Sequence, residues 1–157
     1  MARGLSAARF GLARLLPGPA QSIRKLFGPS EIVAVNFADL VLTGETDEYL
    51  ECPLDICLST EPHAEPIEFD LPASQLRAIL LEYVDRQPNV KMLGFDPVHQ
   101  QFDFSDQAPT MRLPDIITIQ IIELGDSKST LAIYSRSVSG LGSDGSNRRR
   151  VEHWLSM

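Results

Sequence analysis

The sequence predicts an α+β domain, in which an antiparallel sheet carries a long helix and a C-terminal helix packed on one face. Three observations support this fold class. A strong helical period of apolar residues lies in the middle of the chain. Two hairpin patterns follow it, and strands joined by short turns are typical of antiparallel sheets. A short stretch with a buried-helix pattern closes the chain.

Length and composition predict one folded domain after a basic leader. The chain has 157 residues, of which 43% are hydrophobic and 22% are charged, so it is long enough to bury one core. Residues 1–30 carry a charge of +5 without any acidic side chain, whereas the remaining residues sum to −12. We predict a flexible segment at residues 1–30 and a single domain at residues 31–157. The acidic body repels phosphate backbones, which excludes nucleic acid as a partner.

Residues 2–16 form a basic amphipathic pattern when they are placed on a helix. Four leucines share one broad face, and two arginines lie opposite them. Two interpretations stay open: a helix that binds an anionic membrane surface or acts as a transit-like sequence, and a disordered basic tail. The chain has no apolar run long enough for a transmembrane helix, and arginines interrupt any secretory signal. We therefore expect a soluble or membrane-peripheral protein.

The first part of the predicted domain has weak structural signals. Residues 32–42 indicate a weak strand, which Asn36 and Asp39 interrupt. Residues 45–70 are acidic and contain three prolines, which break long elements. We predict an extended wrapping segment there, with one short strand near residues 67–69.

A helix at residues 72–87 gives the strongest signal. Its apolar side chains follow the spacing i, i+3, i+4, i+7 and i+8: Leu76, Ile79, Leu80, Tyr83 and Val84. Pro72 suits the first turn of a helix, and Pro88 enforces its end.

Two hairpins and a terminal helix follow. The predicted strands span residues 89–95, 101–105, 115–124 and 129–137. Asp96-Pro97 supplies the turn of the first hairpin, and Gly125-Asp126-Ser127 supplies that of the second. Val151, Trp154 and Leu155 lie on a short helix that closes the chain.

The last quarter of the chain places a strand, a glycine-rich loop and a helix next to each other, with four arginines around the loop. Loop amides and a helix N-terminus can bind an anion. Residues 140–145 match G-x-G-x-x-G, but the dinucleotide-binding fingerprint needs a second strand with an acidic residue about 20 residues later. The chain ends at Met157, so that interpretation fails.

The arginines of this corner need a negative partner. Arg148, Arg149 and Arg150 fall in the first turn of the helix, where cations oppose the helix dipole. An internal partner is one option: Asp144 as N-cap, Glu152, or the acidic segment 45–70. An exogenous small anion or an acidic partner is the other. We favour internal pairing, and the ligand-binding candidates are Arg136, Ser137, Asp144, Asn147, Arg148 and Arg150.

The cysteine pair and His153 give weaker evidence for a functional site. Cys52 and Cys57 form a C-x4-C pattern, which suits a disulfide in an oxidising compartment or two reduced thiols in a reducing one. Zinc sites usually show a second Cys or His pair, so we predict no metal and no cofactor. His153 lies near several serines, but no nucleophile-elbow motif accompanies it, and we expect an exposed histidine.

The C-terminal motifs also resemble a known family. They are Tyr134-Ser135-Arg136-Ser137, Gly140, Ser143-Asp144-Gly145, Asn147-Arg148-Arg149-Arg150 and Glu152. Further matches upstream are Phe37-Ala38-Asp39-Leu40, the segment from Cys52 to Cys57, Phe69-Asp70-Leu71-Pro72 and Met111-Arg112-Leu113-Pro114-Asp115. Together they resemble the signature of the bacterial and plastid family called domain of unknown function 1499, over about residues 36–156.

The resemblance implies a compact α+β domain, often attached to or facing a membrane, with no known activity. The chain departs from the pattern at Gly145-Ser146, where an apolar residue followed by glycine is common. The recurring polar positions of the family correspond here to Asp115, Arg136, Asp144, Asn147, Arg148 and Arg150. Because Asp115 starts the strand that pairs with the strand of Arg136, we expect a buried ion pair between Asp115 and Arg136.

Two functional hypotheses follow. The first is a non-catalytic binding or scaffold module whose arginine-rich corner takes a small anion or an acidic partner. The alternative is an enzyme of unknown reaction that uses the same corner. An enzyme should show a concave pocket with a titratable group of strongly shifted pKa, whereas a binding module should show a basic rim without one. We favour the binding module.

Overall fold

The computed structural model describes residues 34–44, 47–110, 113–138 and 145–157. The basic segment predicted at residues 1–30, with its amphipathic stretch 2–16, lies outside these ranges. Asp144 and most of the glycine-rich loop also lie outside them.

A five-stranded antiparallel sheet forms the centre of the described structure. Its strands are β1 (Glu48–Glu51), β2 (Val90–Asp96), β3 (Gln101–Asp106), β4 (Asp115–Gly125) and β5 (Lys128–Ser137). They are ordered β1-β5-β4-β3-β2 across the sheet. Both predicted hairpins are present, because the turns at Asp96-Pro97 and Gly125-Asp126-Ser127 reverse the chain between adjacent strands. The predicted α+β class is confirmed.

Two helices pack on the same face of this sheet. Helix α1 spans Ala73–Asp85 and helix α2 spans Ser146–Leu155. Leu76, Leu80 and Val84 of α1 are buried. Val151 and Trp154 of α2 are buried as well. They share one apolar cluster with alternate residues of the central strands, including Phe102, Phe104, Ile117, Ile119, Leu131 and Ile133. None of the helices in the described ranges is long and apolar enough to cross a membrane.

The opposite face of the sheet is covered by irregular chain. A second apolar cluster joins Phe37, Leu50, Cys52, Cys57, Ala132 and Tyr134. The strand expected at residues 32–42 is wrong for its described part, since residues 37–39 form a turn. The Asn36 Oδ1 atom accepts a hydrogen bond from the Ala38 N–H at 3.1 Å, and this local bond favours a turn over a strand.

The acidic segment supplies the edge strand β1, which the sequence analysis missed. Residues 48–51 pair with residues 133–136 of β5, so the segment contributes to the sheet as well as wrapping it. Near residues 67–69 the structure has only an isolated bridge between Phe69 and Ser129, not the short strand that was expected. A strand of four residues that begins and ends with glutamate carries little local signal, and its pairing is set by the edge of β5.

Candidate functional site

Strand β5 divides the predicted arginine corner between the two faces of the sheet. Successive side chains of a strand point to opposite faces. Ser135 and Ser137 therefore lie on the helix face, where Ser135 contacts helix α2. Tyr134 and Arg136 lie on the opposite face, as the alternation predicts. The corner consists of two separate polar sites.

Asn147 is the centre of the site on the helix face. Its side chain is fully buried. Its Nδ2 donates to the Asp47 backbone oxygen at 2.6 Å and to Ser137 Oγ at 3.2 Å. Its Oδ1 accepts from Ser135 Oγ at 2.6 Å and from Arg150 Nη1 at 2.8 Å. All four hydrogen-bonding positions of the amide are thus used internally, so Asn147 connects α2 to β5 and to the residue before β1.

The N-terminus of helix α2 already holds an anion, which is the carboxylate of Asp47. The Oδ2 atom of Asp47 accepts hydrogen bonds from the backbone N–H of Ser146 at 3.1 Å and of Asn147 at 3.3 Å. It also accepts one from the Ser146 hydroxyl. A carboxylate in this position satisfies free N–H groups and opposes the positive end of the helix dipole. A carboxylate of the acidic segment thus binds the helix N-terminus, but among the described residues this segment forms no ion pair with an arginine of α2.

Arg150 forms the buried ion pairs of this site. Its side chain is 12% exposed, with Nε 3.1 Å from Asp106 Oδ2 and Nη2 2.5 Å from Asp115 Oδ2. Among the described residues, the Asp115 Oδ2 atom accepts no hydrogen bond of good geometry. The positive charge of the Arg150 guanidinium compensates the negative charge of this buried oxygen.

The ion pair expected between Asp115 and Arg136 is wrong. In the β4–β5 register Asp115 lies opposite Ser137, and Arg136 lies opposite Ile116. Asp115 and Arg136 therefore point to opposite faces of the sheet. Arg150 pairs with Asp115 instead, because helix α2 packs on the same face as that carboxylate.

The remaining arginines of the helix are exposed. Arg148 Nε lies 2.8 Å from Glu152 Oε1, and its guanidinium lies 6.0 Å from the ring centre of Tyr49. Glu152 was one of the predicted internal partners. Arg149 points to the surface as well.

Arg136 has a different environment on the opposite face. Its Nη1 donates to Thr118 Oγ1 at 3.1 Å, and its Cζ lies 5.0 Å from the ring centre of Tyr134. No carboxylate of the described residues forms an ion pair with it. Thr118 Oγ1 in turn donates to Asp103 Oδ1 at 2.6 Å. The Thr118 hydroxyl thus connects the Arg136 guanidinium to the Asp103 carboxylate. Burial lowers the pKa of Arg136, and neighbouring acidic groups oppose this effect.

Tyr134 and Glu48 complete this second site. The Tyr134 hydroxyl donates to Glu48 Oε2 at 2.6 Å. Burial and this hydrogen bond to the carboxylate raise the pKa of Tyr134 far above its ordinary value. Burial would raise the pKa of Glu48 too, but hydrogen bonds from Tyr134, Gly44 and Thr43 outweigh it and lower that pKa. The phenol thus stays protonated and the carboxylate stays ionised around neutral pH.

An open cleft of about 410 Å³ lies above Arg136 and Tyr134. The segment 34–41 supplies its other walls, through Ala34, Val35, Asn36, Asp39, Leu40 and Val41. This volume is at the lower end of the range for small-molecule sites. Of the described ligand-binding candidates, Arg136 lines the cleft, whereas Ser137, Asn147, Arg148 and Arg150 do not.

Most of the cleft was not predicted. Alternation along β5 predicts that Tyr134 shares a face with Arg136, but Tyr134 was not among the predicted site residues. The segment 34–41 gave no such signal, since its position depends on a contact with a distant strand. The Val35 backbone oxygen accepts a hydrogen bond from Gln101 Nε2 at 3.0 Å.

A disulfide joins Cys52 and Cys57 in the apolar cluster behind the cleft. The C-x4-C pattern is compatible with a disulfide and with two reduced thiols, and the structure has the disulfide. The two cysteines pack in the cluster that also contains Phe37 and Tyr134. Over the described ranges, no three His, Cys, Asp or Glu side chains are grouped so that they could hold a metal ion.

A second cavity, of about 610 Å³, lies between the end of α1 and strand β2. Its lining is apolar and acidic: Leu81, Glu82, Val84, Asp85, Gln87, Val90 and Met92. The predicted site residues that the structure describes do not line it.

No family model, curated protein or solved structure matches the chain. Membership of the domain of unknown function 1499 family stays a prediction.

Proposed function

We propose that this protein is a non-catalytic binding module that holds a small anion in the cleft above Arg136. One observation carries the proposal: the Arg136 guanidinium lines a cavity and forms no ion pair with a described carboxylate. Arg148 and Arg150, by contrast, have carboxylates in direct contact. A guanidinium presents a planar set of N–H donors that fits an oxyanion, and its charge persists at any physiological pH.

The titratable groups around the cleft favour binding over catalysis. A general acid or base works best when its pKa lies near the working pH. The pKa of Tyr134 is raised from an ordinary value of 10.0, and that of Glu48 is lowered from 4.5. Both shifts move the pKa away from neutrality. Neither Tyr134 nor Glu48 is therefore poised to act as a general acid or base, which favours the binding module over the alternative of an enzyme.

The setting of the module is part of the proposal. An acidic group of a partner would use the same guanidinium as a free anion does. A soluble or membrane-peripheral location fits the basic amphipathic pattern of residues 2–16, which would hold the domain at an anionic membrane surface. The resemblance to the domain of unknown function 1499 family supports a location that faces a membrane.

Thermal melting in matched salts tests the proposal. We expect acetate or another oxyanion to raise the melting temperature more than chloride does at the same ionic strength. The variant Arg136→Gln, checked for folding by circular dichroism, should lose this difference. Arg149→Gln removes the same charge from an exposed position and should keep it. Equal melting temperatures in all salts for the unmodified chain would overturn the proposal.

A further inference from the structure

We infer that the cleft prefers a ligand with a single carboxylate on a short apolar chain, such as a linear alkanoate, over phosphate, sulfate or a dicarboxylate. The inference rests on the proposed function and names the chemical class that the site accepts. Charge, hydrogen-bonding geometry and the cleft walls each support it.

The charges around Arg136 accommodate one negative charge and oppose a second. Glu48 lies directly opposite Arg136 in the β1–β5 register, and its carboxylate is held by the Tyr134 hydroxyl. Asp103 lies behind the guanidinium, connected to it through Thr118. Asp39 lines the cleft itself. Arg136 is the one cationic residue among the described residues that line the cleft, so each further negative charge on a ligand adds repulsion from these carboxylates without a second cation to offset it.

The guanidinium has donors for a carboxylate. Arginine carries five N–H donors, and Arg136 uses one of its nitrogens, Nη1, in the hydrogen bond that it makes to a described residue, Thr118. A carboxylate can accept two parallel hydrogen bonds from such a group, which gives it a fixed orientation in the cleft.

The walls of the cleft suit an apolar chain. Val35, Leu40 and the ring of Tyr134 line it, and Val41 does so with 64% of its surface exposed. A ligand chain that covers Val41 removes apolar surface from water on both partners. Each buried CH₂ contributes enough to raise affinity about three- to fourfold.

Calorimetric titration of the full chain with acetate, butanoate, hexanoate, succinate and phosphate at constant ionic strength tests this preference. We expect affinity to rise about tenfold from acetate to butanoate. Succinate and phosphate should bind at least about tenfold more weakly than butanoate. Binding of phosphate as tight as that of butanoate, or equal affinity along the alkanoate series, overturns the inference but leaves the anion site intact. If none of these anions binds, the proposed function itself fails.

A substitution at the exposed edge of the cleft tests whether the ligand chain binds there, and it leaves the apolar core of the protein unchanged. Val41→Glu places a charge at an exposed position of the cleft and should lower the affinity for hexanoate about tenfold or more. Val98→Glu is the matched control, because Val98 is 82% exposed and does not line the cleft. Unchanged affinity in Val41→Glu, or an equal loss in Val98→Glu, would contradict the inference.

Discussion

The carboxylate of Asp47 caps helix α2 at Ser146, a residue 99 positions later in the chain. The residue before the helix is Gly145, which has a left-handed backbone with φ of 76° and no side chain to act as a cap. Asp47, the residue before β1, therefore supplies what a local N-cap residue normally supplies. Its carboxylate also places a negative charge at the positive end of the helix dipole.

Replacing Asp47 should weaken the attachment of helix α2. We expect Asp47→Ala to lower the free energy of unfolding by about 1–2 kcal/mol, since a lost helix cap has this effect. Urea denaturation measures the loss. Asp55→Ala is the control, because Asp55 belongs to the same acidic segment but is exposed. Equal stabilities of the two variants would show that the cap contributes nothing.

Breaking the buried pair between Asp115 and Arg150 should be costly. We expect Arg150→Ala to lower the free energy of unfolding by about 3–5 kcal/mol, because it leaves buried carboxylates without a partner. The exposed pair of Arg148 and Glu152 should matter much less, with a loss of at most about 1 kcal/mol for Arg148→Ala. Chemical denaturation of both variants checks the difference.

A double-mutant cycle distinguishes the observed partner of Asp115 from the one that was expected. Asp115→Asn combined with Arg150→Ala should give a coupling energy within the range of about 0.5–3 kcal/mol seen for residues in contact. The cycle with Arg136→Ala should give a coupling near zero, because the sheet separates the two side chains. Strong coupling to Arg136 would contradict the register of β4 and β5.

Two glutamates of β1 should change stability with pH in opposite directions. The pKa of Glu48 is lowered in the fold, so its contribution is present above the ordinary value of 4.5 and is lost as the pH falls through the lowered value. Burial and the charge of Glu152 raise the pKa of Glu51, so its contribution is present below 4.5 and is lost as the pH rises through the raised value.

Substitution by glutamine makes this difference measurable. Glu48→Gln should reduce the loss of stability in acid, while Glu51→Gln should remove a loss that occurs as the pH rises. Melting temperatures between about pH 3 and pH 7 follow both effects, since this range spans the ordinary pKa of glutamate. Glu61→Gln, at an exposed position, is the control and should leave the profile unchanged. If the melting temperatures of Glu48→Gln and Glu51→Gln depend on pH in the same way, the environments described for Glu48 and Glu51 are wrong.

Reduction of the disulfide should destabilise the face that carries the cleft. Cys52 and Cys57 are five positions apart, and closing so short a loop contributes about 2 kcal/mol in the chain-entropy description. We expect a reductant to lower the free energy of unfolding by about this amount. The double variant Cys52→Ser with Cys57→Ser should show the same loss and no further response to reductant.

Local patterns predicted the elements whose contacts are local. The helix expected at residues 72–87 spans Ala73–Asp85, and Leu76, Leu80 and Val84 of its predicted apolar face are buried. Ile79 of the same predicted face is exposed. The second hairpin was visible because alternating isoleucines and a polar turn lie close together in the chain. Strand β1 escaped notice, since its four residues gain their structure from an edge of β5 that is more than 80 residues away.

The partners of the arginines depended on the tertiary structure. Alternation along β5 indicated that Arg136 shares a face with Tyr134, and it would have excluded Asp115 as a partner if the register of the sheet had been known. Asp47, Asp106 and Asp115 are distant from helix α2 in the chain and contact it in the folded structure. A charge pattern in the chain shows that partners are needed, but not which carboxylates supply them.

The sequence by itself determined the α+β class, the long helix and the two hairpins, because side-chain periodicity and turn residues act between neighbours in the chain. It also determined that the last quarter concentrates arginines that need negative partners. Only the tertiary structure decided that Arg150 and the N-terminus of α2 are satisfied internally while Arg136 lines a cleft. The physical reason is that burial and ion pairing depend on which face of the sheet a side chain occupies and on what distant chain covers it.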